Sequence, residues 1–238
     1  MRPAGFWRRG AAWSLDVLPV LLAALALCWN QLRAAGTAAA SAWAALADAA
    51  AQRMAGTLLA ADAGDMAGVA TLMATVRAAM HDAALRAAAG GLQSALFALC
   101  GPPLAVFVAL CLAWCVGFER SRLRATPGKR ALGLRVVAAD GGIAGAGRVL
   151  LRFLAGSLSW LSLNIGHLMA AMPPAFAAMH DRISGTRVVL DASAPARMPA
   201  WATAWLVAVA AAALYATAWT SAVLAAGLQV ALERALWG

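Results

Sequence analysis

Acidic side chains are scarce: ten Asp and Glu stand against nineteen Arg and Lys in 238 residues, and charged residues make up only 12% of the chain. So little charge, beside 63% hydrophobic positions and a mean hydropathy of +0.76, excludes a soluble globular domain and identifies an integral membrane protein. Lys129 is the single lysine; the arginine bias reflects composition and carries no functional reading. The net charge of +9 does not argue for nucleic acid. In a membrane chain, basic residues mark the cytoplasmic side and meet anionic headgroups. Cys28, Cys100, Cys111 and Cys115 show no CxxC or Cys/His metal spacing and read as small core hydrophobes. His167 has no second metal-type residue at i±3 or i±4, which favours a satisfied helical histidine over a ligand. A phosphate-cradling reading of Gly128-Lys129 fails, because Arg130 stands where Ser or Thr is needed and the upstream glycine is missing. No Ser/His/Asp, metal or nucleotide constellation emerges, so the sequence offers no enzyme, no metal site and no cofactor.

What is present begins with Arg9 to Trp29, an apolar run that spans roughly 30 Å as a helix, the thickness of a hydrocarbon core. Asp16 lies inside it, and a carboxylate among lipid tails is a functional-site hypothesis by default. Arg9, two helical turns earlier, shares its face. Arg2, Arg8 and Arg9 before an apolar stretch resemble a signal peptide, yet Asp16 and Pro19 interrupt the run. An uncleaved first helix is expected.

From Asn30 to Gly91 the chain is alanine-rich, with four arginines balanced by four aspartates. Two amphipathic helices broken near Gly64 to Gly68 are predicted, forming an extracytoplasmic insertion. Gln93 to Val116 is a second spanning helix, with a kink expected at Gly101-Pro102-Pro103. Trp13, Trp29 and Trp114 read as aromatic-belt anchors. Gly117 to Arg152 is strongly basic, which with the basic N-terminus places both in the cytoplasm. Thr126-Pro127-Gly128 reads as a turn, and Leu134 to Ala138 as a short β-prone run. Val149 to Met179 is apolar but carries scattered polar residues and Pro173-Pro174. It is expected to enter and leave on one face, as two short helices meeting near Asn164-Ile165-Gly166. Thr186 to Leu190 is a second β-prone run, able to pair with 134–138 only if that hairpin is re-entrant. Asp191 to Pro199 is a linker, Ala200 to Ala226 a final spanning helix, and Gln229 to Trp237 a short amphipathic tail.

Three blocks then add up to a resemblance: RGAAWSLD at Arg9 to Asp16, ATPGKRALGLRVVAADGG at Ala125 to Gly142 with R-x-L-L-R at Arg148 to Arg152, and HDRISGTRVV at His180 to Val189. The chain resembles the RDD family of bacterial inner-membrane proteins, named for one arginine and two aspartates. On that resemblance Arg9, Asp16 and Asp181 form the charged cluster, supported by Thr126, Pro127, Gly128, Lys129, Arg152, His180 and Arg182. It implies a multi-pass inner-membrane protein concerned with transport of protons or monovalent cations, or an accessory to such transport. The alternative is a non-catalytic scaffold that packs on partner membrane proteins.

The expected fold is all-α: a helical bundle of three clear spanning helices plus a re-entrant or third-crossing hairpin, with a tiny cytoplasmic two-stranded sheet. Residues 1–190 form the membrane domain with the 31–92 insertion, 191–199 the linker, and 200–238 the last helix and tail. Expected partners are the bilayer, anionic headgroups at the cytoplasmic face, and a second copy or another membrane protein. For Asp16 two readings stay open: a structural pair with Arg9 or an arginine of another element, and a site for a cation or proton. His180-Asp181-Arg182 reads either as a capped turn or as a titrating histidine beside an acid.

Overall fold

The computed structural model describes residues 2–60, 69–162, 164–174 and 176–237. Among them, three helices are long and apolar enough to cross a membrane: α1 (Phe6–Leu27), α4 (Ala83–Glu119) and α9 (Ala200–Trp237). Helix α2 (Trp29–Ala60) follows α1 after Cys28, and α3 (Val69–His81) precedes α4. The break predicted at Gly64 to Gly68 lies outside the described residues.

Helix α4 continues through Gly101-Pro102-Pro103. Pro102 has no N–H to give the carbonyl of Ala98 one turn back, and Gln31 Nε2 donates to that carbonyl instead. One correction concerns α9: the predicted tail at Gln229 to Trp237 is not separate but completes the 38 residues of that helix. Leu228, Ala231 and Leu232 on this stretch pack with Ala47 and Ala51, which gives the helix a reason to continue.

The chain divides into two compact units, one of residues 1–27 and 105–213, the other of 28–104 and 214–238. The second holds the alanine cluster just named and an exposed ion pair between Arg234 and Asp48 at 3.2 Å. The first holds the charged residues singled out above, and adds α5 (Pro127–Ala131), β1 (Leu134–Ala138), α6 (Ala146–Leu161), α7 (Ile165–Leu168), α8 (Met179–Ser184) and β2 (Thr186–Leu190).

In this first unit β1 and β2 pair antiparallel, with Leu134 opposite Leu190 and Val136 opposite Val188. The N-terminal segment extends the sheet along the free edge of β2, through Ala4 N–H to Val188 O at 3.1 Å and Leu190 N–H to Arg2 O at 2.9 Å. An edge covered in this way is not left open to other strands. Leu134, Val136 and Val188 are buried against Ala4, Ala11, Ala12, Leu132 and Ala202, so the sheet is a lid resting on the small-residue faces of α1 and α9.

Because β1 and β2 are partners, the 47 positions between Ala138 and Thr186 must return to the side from which they left. Helix α6 turns by 115° into the short stretch from Ile165 to Ala171, and α8 brings the chain back to the sheet. Asn164, at φ 66°, takes the left-handed turn between α6 and α7, a conformation its short polar side chain tolerates. The chain thus bends sharply near Asn164, where the sequence placed the break, and returns to the sheet.

Ser184 is too buried to report on sidedness, since its hydroxyl donates to His180 O at 2.6 Å and meets Thr186 Oγ1 at 2.8 Å. Exposed Arg182 and Asp140 are better positions. In a cysteine-free background, cysteines at both should be labelled from the face that labels a cysteine at Gly5. Labelling of Arg182→Cys from the other face would mean that the hairpin crosses.

Candidate functional site

Asp16 is buried, and every donor it meets is uncharged. The short helix α5 starts with Thr126 at its N-cap and Pro127 at the first helical position, where a missing N–H costs nothing. The next N–H, from Gly128, donates to Asp16 Oδ1 at 2.8 Å, and Thr126 Oγ1 donates to Asp16 Oδ2. Trp114 Nε1 from α4 completes the set, reaching Oδ1 at 3.2 Å. Thr126-Pro127-Gly128 is thus the start of a helix docked on a carboxylate of α1, where a plain turn was predicted. A Cβ on Gly128 would collide with the Ala12 carbonyl and stand 2.9 Å from Asp16 Oδ2. Glycine lets the two helices meet.

Arg9 does not pair with Asp16, although the two share a helix face. Its Nη1 bonds Asp181 Oδ2 at 2.5 Å, while Nη2 and Nε donate to Phe176 O at 2.7 Å and Ala4 O at 3.1 Å. The Arg152 guanidinium binds the other oxygen of Asp181 and also donates to Thr186 Oγ1 at 3.0 Å. Its Nε lies 3.5 Å from Glu119 Oε2, and Lys129 Nζ binds Glu119 Oε1. The result is a chain of alternating sign, Arg9, Asp181, Arg152, Glu119, Lys129, drawn from five elements or segments of the unit. An exposed ion pair contributes little, but one with both partners buried is strongly destabilising to break.

The first turn of α8 explains why Asp181 holds its place: its Oδ2 also accepts the Ala178 N–H at 2.9 Å. Gly185 closes that helix at φ 60° and turns the chain into β2. Burial alone would raise the Asp181 carboxyl, but Arg152 and Arg9 outweigh it and hold it well below the usual carboxylate range. His180 goes the other way from the expectation of a titrating histidine. Burial first, then the Arg152 charge, push its imidazole down to about 3, so it is neutral near pH 7.

Trp13, Trp160, His167 and His180 form a run of ring contacts beside the charges, with centroids 5.3, 5.7 and 5.2 Å apart. They bound a cavity of about 230 Å³ whose other walls are the apolar side chains of α1, α4 and α6. Asp16, Glu119, Lys129 and Arg152 also line it.

A family model described as RDD family matches residues 3–185. The chain belongs to the RDD family. No curated protein and no solved structure matches it. The RDD match takes in every residue of the charge chain and of the Asp16 nest, and it stops short of α9.

Of the RDD residues named from the sequence, Arg9, Lys129, Arg152 and Asp181 come together in one ion-pair chain, and Asp16, Thr126 and Gly128 in the adjoining nest. His180 lines the cavity. Pro127 serves only as the helix start, and Arg182 is exposed and apart. Three partners were missed: Glu119, Trp114, which donates to Asp16 where a belt anchor was expected, and Thr186. Glu119 had a signal. It is the one acid in α4 and sits at its C-terminus, where the helix dipole disfavours an anion unless cations answer it. Arg8 was also unassigned, and its guanidinium donates to the carbonyls of Pro195 and Arg197, so the predicted linker is held against α1.

Proposed function

We propose that this RDD protein is a non-catalytic membrane scaffold and that its Arg/Asp cluster is the lock holding the sheet and re-entrant hairpin over the ends of α1, α4 and α9. The observation that carries this is the satisfaction of the charges: each carboxylate of the cluster is held by fixed donors within the same unit. A path for ions needs a group that can change partners or protonation, and Asp181 and His180 are both held away from titration near neutral pH. The face offered to partners is apolar helix. In α9 none of the most hydrophobic window is buried within the chain, so lipid or a neighbouring membrane protein covers it. The exposed arginines at Arg120, Arg122, Arg130, Arg148, Arg182 and Arg187 suit anionic headgroups on the cytoplasmic side of the inner membrane.

Proton or monovalent-cation movement past Asp16 is the second reading, and the cavity that Asp16 lines is what favours it. Sealed vesicles separate the two. Under imposed pH, Na⁺ or K⁺ gradients the reconstituted protein should leave the internal pH and cation content unchanged, and Asp16→Asn should only lower its unfolding temperature. Flux that disappears in Asp16→Asn would establish transport and end the scaffold reading.

A further inference from the structure

The cavity beside the cluster has a chemistry of its own, which goes beyond the scaffold reading. His180 Nδ1 and His167 Nδ1 are both buried, and neither has a hydrogen-bond partner among the described residues. An unpaired buried polar atom is costly and asks for an explanation. For His180 the missing partner can be specified. With the proton of the neutral ring assigned to Nε2, which lies 3.6 Å from Asp181 Oδ1, Nδ1 is left as an acceptor. What sits there has to donate.

The rest of the space narrows the donor further. Arg152 and Lys129 reach the cavity wall but are already answered by Asp181 and Glu119, so a charged head would disturb a balanced network. A neutral hydroxyl does not. Trp13, Trp160 and His167 offer ring faces and edges beside the two nitrogens, which suits a flat aromatic group. Away from them Val17, Val20, Phe107 and Val108 continue the wall along α1 and α4, the helices that meet the hydrocarbon layer. A second cavity of about 260 Å³ shares Trp13, Trp160, His167 and His180, so together the two hold more than a single ring. Pockets of this kind, apolar with a few convergent polar atoms, are where small molecules bind.

We propose that this cavity binds a lipid-soluble aromatic alcohol, a phenol or hydroquinone head on an aliphatic tail, whose hydroxyl donates to His180 Nδ1 while its ring lies against Trp13 and Trp160. Binding is reversible and involves no bond change.

The test uses the full chain in detergent micelles, with 2-bromo-4-octylphenol as probe and its methyl ether as the analogue lacking the donor. Bromine quenches tryptophan on contact, and three of the ten tryptophans, Trp13, Trp114 and Trp160, line the cavity. The phenol should quench saturably, and the saturable part should fall sharply in Trp13→Phe/Trp160→Phe, where Trp114 alone remains on the wall. Loss of one buried hydrogen bond should weaken the ether, and the phenol on His180→Phe, by about tenfold. His180→Asn places an amide oxygen where Nδ1 stood and should restore most of the preference for phenol over ether, which keeps the test decisive if the phenylalanine variant does not fold. Quenching that never saturates, or that is equal for phenol and ether, overturns the proposal: the cavity then holds water or an acyl chain.

Discussion

Replacing Asp181 with asparagine should cost about 3–5 kcal/mol of stability, because it leaves one buried guanidinium, that of Arg152, and one partly buried, that of Arg9, facing a neutral amide. Arg9 and Arg152 grip opposite oxygens of this carboxylate, whose side chain is 0% exposed. The amide keeps the size of the carboxyl but turns one acceptor into a donor aimed at a donor. The loss should appear as a lower unfolding temperature in detergent, read by circular dichroism. A second substitution checks the mechanism. Arg152→Gln in the Asp181→Asn background should cost clearly less than the sum of the two alone, since the first has already removed what the second would break. Strict additivity would mean that the ion pair contributes no coupling, and the cluster would not be a lock.

The same residues set the direction of the pH response. Asp181 is held below the ordinary carboxylate range, so its contribution is fully present above about pH 4 and declines as the pH falls toward its native value. His180 is neutral in the folded chain down to about 3, whereas in the unfolded chain it protonates near 6.5. Between those values the unfolded state binds the extra proton, so stability falls as the pH drops from about 6.5. Both terms therefore act in one direction: acid weakens the cap, first through His180 and then through Asp181. A His180→Phe chain should lose the earlier part of that decline and retain the later part.

Hydropathy made the spanning helices legible, and the two β-prone runs made the paired strands and the bend between them legible, because a run of apolar residues and a β-prone stretch are local properties. Partner choice is not local. Asp16 and Arg9 lie seven residues apart on one face, about 10 Å along the axis. Arg9 instead found Asp181, 172 positions away, and Asp16 found a helix end 110 positions away. Nothing in the spacing of one helix reports such folding. The proline pair in α4 makes the same point: the sequence shows the missing donors but hides Gln31, which answers one of the freed carbonyls. Glu119 was visible as an acid in an unfavourable place, and asking what cation would tolerate it there was the step that could have found the centre of the charge chain.

Gly128→Ala is expected to be nearly as damaging as Asp181→Asn, at about 2–5 kcal/mol, although it adds only a methyl group. The added carbon would meet the Ala12 carbonyl and lie 2.9 Å from both Cγ and Oδ2 of Asp16. Neither obstacle is the free end of a flexible chain: one is helix backbone, the other a carboxylate fixed by Thr126, Trp114 and the N–H of Gly128 itself. Helix α5 can only back away, which costs overpacking energy and loosens two hydrogen bonds to a buried charge. Gly185→Ala supplies the control. Gly185 has the harder backbone angle, φ 60°, but nothing lies within 4 Å of its missing Cβ, so alanine there should cost about 1–2 kcal/mol from conformation alone. The ordering decides the matter, because backbone conformation predicts that Gly185→Ala is the worse substitution and helix contact predicts Gly128→Ala. Thermal unfolding of the two variants side by side, with Thr126→Val falling between them through loss of a hydroxyl donor to Asp16, would establish that α1 and α5 are joined through this carboxylate. Equal, small losses at both glycines would show that the close approach is not there.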